Sequence, residues 1–190
     1  IGDAYNSRGE YDKAIDYYEK ALAIEIKIHR KVHPAVAAKY TNLGLTYQSK
    51  GEIDKAITYY EKALAIKIKF FGEKHPKVAV NYNHLGNAHR HRGEYDKAIN
   101  YHKKALVINI GFYKTEHPDV AASYNNLGLT YFCMKEYDKA IGYYERALTI
   151  ETNIHGIEHP DVAGIYNNLG VSYHFNNEYN KAIGYYEKAV

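Results

Sequence analysis

A glycine recurs at Gly2, Gly44, Gly86, Gly128 and Gly170, a constant step of 42 residues, and nothing else in the chain constrains its fold as much. His-Pro returns at the same step, at His33-Pro34, His75-Pro76, His117-Pro118 and His159-Pro160, and Ala14, Ala56, Ala98, Ala140 and Ala182 form a third series. A chain of 190 residues therefore holds about four and a half copies of one unit. Such units have too little apolar surface to fold alone and are stabilised by stacking on their neighbours.

Each unit reads as two helices. In the copy that opens at Pro34, proline suits a first helical position, where its missing N–H costs nothing. Val36, Tyr40, Leu43 and Tyr47 then follow a helical stripe, and Gly51 ends it. Asp54 suits the positive end of a second helix, whose stripe is Ala56, Ile57, Tyr60, Ala63 and Leu64 and which runs to about Phe71. Gly72 and Gly156 punctuate the exit in two copies, and Arg30 and Lys114 stand there in the others. Gly44 and Ala56 are small enough for two helices to approach, with Tyr47 and Tyr60 filling the space beyond. The chain has 22 Tyr and no Trp, and so common a residue marks a repeated structural slot. The expected architecture is an all-α array of helical hairpins, with repeats at 1–33 (partial), 34–75, 76–117, 118–159 and 160–190 (partial) in a single domain.

The string Tyr40-Thr41-Asn42-Leu43-Gly44-Leu45-Thr46-Tyr47, followed by Gly51, Ala56, Tyr60 and Ala63, resembles the tetratricopeptide repeat. The usual period is about 34 residues. The 42-residue form, with Ala-Leu-x-Ile, His-Pro-x-Val-Ala and Asn-Asn-Leu, is similar to the repeats of kinesin light chains and nephrocystin-like proteins. The resemblance implies a right-handed superhelical solenoid whose first helices line a concave groove for a protein or peptide partner. A light chain also carries a heptad coiled coil, and the sequence has none. Because Ile1 and Val190 fall in mid-helix slots, the sequence reads as part of a longer array, open to end-to-end self-association.

On the first helix, Ala38, Thr41, Asn42, Leu45, Gln48 and Ser49 lie across from the packing stripe, in the slots that line the groove of this family. Packing slots barely change between copies, while groove slots do. Leu45 becomes Asn87, Leu129 and Val171; Gln48 becomes Arg90, Phe132 and His174; Ser49 becomes His91, Cys133 and Phe175. A surface that reads a non-repeating ligand would vary in this way, and so would an idle one. Asn42, Asn126 and Asn168 share one slot with His84, and Thr41, Asn83, Asn125 and Asn167 share the slot before it. Asparagine is a mediocre helix former, so its retention in register points to use of the amide, which carries both a donor and an acceptor. Two uses stay open: pairing with the main chain of an extended peptide, as grooves of the kinesin-light-chain type are understood to do, or bracing adjacent helices. The candidate peptide-binding residues are accordingly Asn42, Leu45, Asn83, His84, Asn87, Arg90, His91, Asn125, Asn126, Leu129, Asn167 and Asn168. His84, Arg90, His91 and Arg92 make one stretch basic, which favours an acidic peptide there, more so below about pH 6.5 where histidine charges. The lysine and arginine slots of the carboxylate-clamp version of the fold hold Ala38, Val80, Ala122 and Gly164, so chaperone tails are not the expected ligand.

Composition narrows the classes. The net charge is +3, and basic and acidic residues alternate without a basic block that would track a phosphate backbone, so no nucleic-acid partner is expected. No apolar run spans a bilayer, and no membrane partner is expected. Cys133 is alone and no glycosylation sequon occurs, which fits a cytoplasmic setting. No nucleophile–base pair or phosphate loop stands out, so neither an enzyme nor a cofactor is expected. His84 and His91 face the groove while His89 and His102 face the packing side, so the four do not converge on a metal. The leading reading is a protein–protein interaction scaffold or adaptor, in one form a cargo adaptor of the kinesin-light-chain type. A regulatory array attached to an enzyme or NTPase switch, and a self-associating structural array, are the rivals.

Overall fold

The computed structural model describes residues 1–29 and 31–190; the exit position Arg30 lies outside the described residues. Two compact units, Ile1–Gly93 and Glu94–Val190, are present, and each is described by itself. Unit 1 holds α1 (Gly2–Ser7), α2 (Tyr11–His29), α3 (Pro34–Ser49), α4 (Ile53–Phe71) and α5 (Pro76–His91). Unit 2 holds α6 (Tyr95–Tyr113), α7 (Pro118–Cys133), α8 (Tyr137–His155), α9 (Pro160–Phe175) and α10 (Tyr179–Lys188). No strand occurs among the described residues, and consecutive helices within each unit pack on one another.

The His-Pro signal explains the helix starts more fully than proline alone does. The Nδ1 atoms of His33, His75, His117 and His159 accept hydrogen bonds from the N–H two residues on, at 3.2, 3.1, 3.1 and 3.3 Å. Each histidine thus caps the helix that proline opens. Each cap ring also stacks on the end of the preceding helix, as in Phe71–His75 at 4.6 Å and Tyr113–His117 at 3.6 Å.

The recurrent glycine serves a ring rather than a second backbone. A Cβ on Gly44 would sit 2.5 Å from the ring of Tyr60, and one on Gly128 would sit 2.7 Å from Tyr144. Tyr60 and Tyr144 are among the largest fully buried side chains. Other tyrosines form a second repeated device. Tyr59 stacks on Tyr47 at 5.3 Å and tilts against Tyr40 at 6.0 Å, and Tyr143 treats Tyr131 and Tyr124 in the same way. Lys62 lies over both Tyr40 and Tyr59, and Arg146 over both Tyr124 and Tyr143. The hairpins α3–α4 and α7–α8 thus each carry an aromatic seam built from tyrosines at repeated slots.

Candidate functional site

The burial pattern separates the two sides of the first helices as the stripe predicts. Val36, Leu43 and Tyr47 are buried on α3, whereas Ala38, Leu45 and Ser49 are exposed and Thr41, Asn42 and Gln48 are half-buried. On α5, Asn83, His84, Asn87 and Arg90 are half-buried and His91 is exposed. On α7, Asn125, Asn126 and Leu129 are half-buried; on α9, Asn167 is exposed and Asn168 half-buried.

In unit 2 the amides divide their work. Asn168 Nδ2 donates to Asn125 Oδ1 at 3.1 Å, linking α9 to α7. Those two residues and Asn167 line a cleft of about 540 Å³ together with Ala122, Gly164, Ile165, Glu151, Asp119 and Asp161. A Cβ on Gly164 would meet nothing within 4 Å, so the cleft is open at that point. The ends of α7 and α9 carry an aromatic cluster in which Phe132 meets Phe175 edge-on at 5.6 Å and Tyr137 stacks on Phe175 at 5.7 Å. A larger depression, about 650 Å³, lies against Tyr131, Tyr143, Glu145 and Arg146, away from the amides. Its polar groups are engaged: Glu145 accepts from the Tyr173 hydroxyl, and Arg146 covers two tyrosine rings.

In unit 1 the histidine expectation needs correction. His84 stacks on Tyr60 at 5.2 Å, and burial, with Lys67 nearby, pushes its pKa down to about 4. It is therefore neutral across pH 6–8 and adds no charge near pH 6.5. Burial and Arg90 also hold His91 below the ordinary histidine value. Arg92 pairs with Asp54 at 2.8 Å, so its charge is compensated there. The cation that sequence reasoning missed is Lys67 on α4. Its Nζ donates to Asn81 Oδ1 at 2.9 Å and Thr41 Oγ1 at 3.2 Å, and burial, together with Lys77, pushes its pKa down to about 8. The signal was available: Glu25, Lys67, Asn109 and Glu151 fall at the 42-residue step, a polar slot in an otherwise aliphatic helix end. The Asn87 side-chain oxygen is buried without a hydrogen-bond partner among the described residues.

Among the described residues, no group of three or more His, Cys, Asp or Glu is placed to hold a metal, and no helix is long and apolar enough to cross a membrane. The Cys133 side chain is half-buried.

A tetratricopeptide repeat profile matches residues 1–69, 36–110 and 119–190. No curated protein sequence matches the chain. Among solved structures, BtubC (BKLC) from P. vanneervenii is 31% identical, with a TM-score of 0.87, over 100% of this chain and 75% of that one. A putative kinesin light chain of Podosopora anserina with nearly identical TPR-like repeats is 23% identical, with a TM-score of 0.84, over 99% of this chain and 89% of that one. A Rap protein complexed with competence and sporulation factor is 18% identical, with a TM-score of 0.81, over 99% of this chain and 50% of that one, so this chain spans half its length. The capped hairpins, the glycine–tyrosine packing and the profile matches agree that the chain belongs to the tetratricopeptide repeat family, with a helical-hairpin fold typical of non-catalytic protein-interaction scaffolds.

Proposed function

We propose that the chain is a non-catalytic scaffold, a single array of the repeats delimited by its His-Pro caps, and that it holds an extended peptide against the outward faces of its first helices. The observation that carries this reading is the open cleft of unit 2, lined by Asn125, Asn167 and Asn168. Asn125 and Asn168 brace one another, and Asn167 is exposed beside them, ready to pair with a peptide N–H or C=O. In unit 1 the side-chain oxygen of Asn87, without a hydrogen-bond partner among the described residues, supports the same use, and the cationic Arg90 on the same helix favours an acidic stretch of peptide there. A cytoplasmic cargo adaptor of the kinesin-light-chain type is the finer form of this reading. The similar fold of a Rap protein complexed with competence and sporulation factor supports a peptide-sized ligand.

The test is a peptide array probed with the chain, followed by titration of captured peptides against Asn126→Ala plus Asn167→Ala. Binding should weaken about tenfold while the melting temperature holds within a few degrees. Equal loss of binding and melting temperature would assign these amides to bracing instead.

A further inference from the structure

The cleft of unit 2 contains a carboxylate that its surroundings do not satisfy. Glu151 on α8 is 6% exposed, and its Oε2 has no hydrogen-bond partner among the described residues. The nearest cation-forming group is His155, whose Nε2 lies 3.6 Å from that oxygen, beyond hydrogen-bonding distance. Burial pushes the Glu151 carboxyl above the usual range, with Asp161 adding to the shift and His155 and His159 opposing it. A buried acceptor left unmade is costly, so each one that a native fold keeps calls for a reason.

The repeat shows what is missing. Each polar residue in the Glu25, Lys67, Asn109 and Glu151 slot stands opposite a residue fourteen positions on in the next first helix: Lys39, Asn81, Ser123 and Ile165. Two of these pairs bond: Lys67 donates to Asn81 at 2.9 Å, and Asn109 donates to Ser123 at 3.1 Å, whereas Glu25 faces His29 at 3.6 Å. Opposite Glu151 stands Ile165, which offers nothing. The cleft is open above this point, its small residues Ala122 and Gly164 leave room, and its other charged lining groups are the carboxylates Asp119 and Asp161.

We propose that this cleft takes the arginine or lysine side chain of an extended peptide, with the guanidinium or ammonium group on Glu151 and the peptide main chain on Asn125, Asn167 and Asn168. This names a partner chemistry for the groove and rests on the peptide-binding reading above. Charge-assisted bonds to a carboxylate are about twice as strong as neutral ones, so one basic side chain would dominate selection at this point. The aromatic cluster of Phe132 on α7, Tyr137 on α8 and Phe175 on α9 offers apolar surface to residues flanking the basic one.

The experiment has two arms. In the first, amide resonances of the whole chain are followed while the blocked tripeptides Ac-Gly-Arg-Gly-NH2 and Ac-Gly-Gln-Gly-NH2 are added. The expected result is saturable shifts at Glu151, Asn125 and Asn168 with the arginine probe, and at least tenfold weaker response with the glutamine probe or with the near-isosteric Glu151→Gln variant. In the second, peptides captured from an array are remade with each Arg or Lys changed to Gln, expecting a tenfold or greater loss at one position on the native chain and none on Glu151→Gln. Captured peptides indifferent to these changes, with matched responses to the two tripeptides, would overturn the inference and leave the peptide groove standing. Saturable shifts with the arginine tripeptide and no captured peptide would uphold the cation site and overturn the groove. Silence in both arms overturns both. If Glu151→Gln fails to fold, the arginine–glutamine contrast on the native chain still decides.

Discussion

Lys67 in unit 1 and Glu151 in unit 2 occupy the same slot of the same repeat, yet one is closed and the other open. Lys67 is a half-buried cation with two acceptors, Asn81 and Thr41, and Asn81 is itself fixed through its Nδ2 bond to the Tyr60 carbonyl at 2.8 Å. Glu151 is a buried carboxylate whose opposite residue is Ile165 and whose Oε2 has no hydrogen-bond partner among the described residues. The hairpin beneath them is the same in both units, with Tyr60 over Gly44 and Tyr144 over Gly128. Repetition therefore fixes where a side chain points, while one substitution fourteen residues away decides whether it is structural glue or an unsatisfied site. This division of labour suits an array, because packing slots can be copied while one polar slot is varied per repeat.

The largest effect should come from breaking the closed member. Lys67→Met keeps the length and the apolar stem but removes both donors, leaving Asn81 Oδ1 unpartnered where Asn81 is fully buried. A loss of about 2–3 kcal/mol in chemical denaturation is expected, the usual cost of orphaning a buried polar group bonded to a charge. A neutral outcome would mean that the Lys67 network contributes little and that the contrast with Glu151 is one of charge only.

The next effect sharpens the contrast through pH. His84 stands where the other copies have Asn42, Asn126 and Asn168, and its folded pKa is pushed down to about 4 from 6.5. The unfolded chain takes up a proton below pH 6.5 while the folded chain does not. This contribution is therefore intact above 6.5, falls as the pH drops, and is fully lost below about 4. With one pKa unit worth about 1.4 kcal/mol, His84→Asn should recover about 1–2 kcal/mol at pH 5 and change little at pH 7.5. Parallel pH profiles for the native chain and the variant would show that His84 is solvated enough to titrate normally.

Much of this was readable in the chain and some was not. The helix bounds, the packing stripes and the exposed faces follow from periodicity, because a 42-residue repeat with Pro and Gly punctuation leaves few ways to wind. What periodicity cannot give is the direction of a polar side chain at a helix edge. The reading of Asn168 as ligand or brace stayed open because only coordinates bring its Nδ2 to Asn125. His84 looked basic because burial is invisible in composition; Tyr60, the ring it stacks on, lies 24 residues earlier on another helix. Lys67 and Glu151 escape notice in the sequence because each adjoins isoleucine on a stripe read as packing, and charge alone does not reveal whether such a residue snorkels out or is trapped.

A smaller effect is expected from relieving the open member. Glu151→Gln keeps the shape and removes a buried charge, so the native fold should gain about 1 kcal/mol at pH 7. The sign follows from its raised carboxyl pKa: the folded state favours the protonated form, so the native chain loses stability as the pH rises through the folded pKa. The gain on substitution should thus vanish below about pH 4.5, the ordinary value from which the shift starts. A loss of stability at pH 7 instead would mean that His155 already satisfies the carboxylate, and the two slots would then be alike.

The smallest change tests whether the cleft is open because it is used. A glycine within a helix costs roughly 0.5–1 kcal/mol against alanine, through the backbone freedom it surrenders on folding. Gly164 accepts that cost in α9 although an added Cβ would meet nothing within 4 Å, so packing gives no reason for it. Gly164→Ala should therefore stabilise unit 2 by about 0.5–1 kcal/mol, whereas Gly128→Ala, which drives a Cβ to 2.7 Å from the Tyr144 ring, should destabilise it. Gly164→Phe separates use from accident more sharply. On an idle surface the phenylalanine is tolerated and nothing else changes. In a cleft that admits a basic side chain, it fills the space above Glu151, and the arginine-dependent shifts at Asn125 and Asn168 disappear while the fold stays intact.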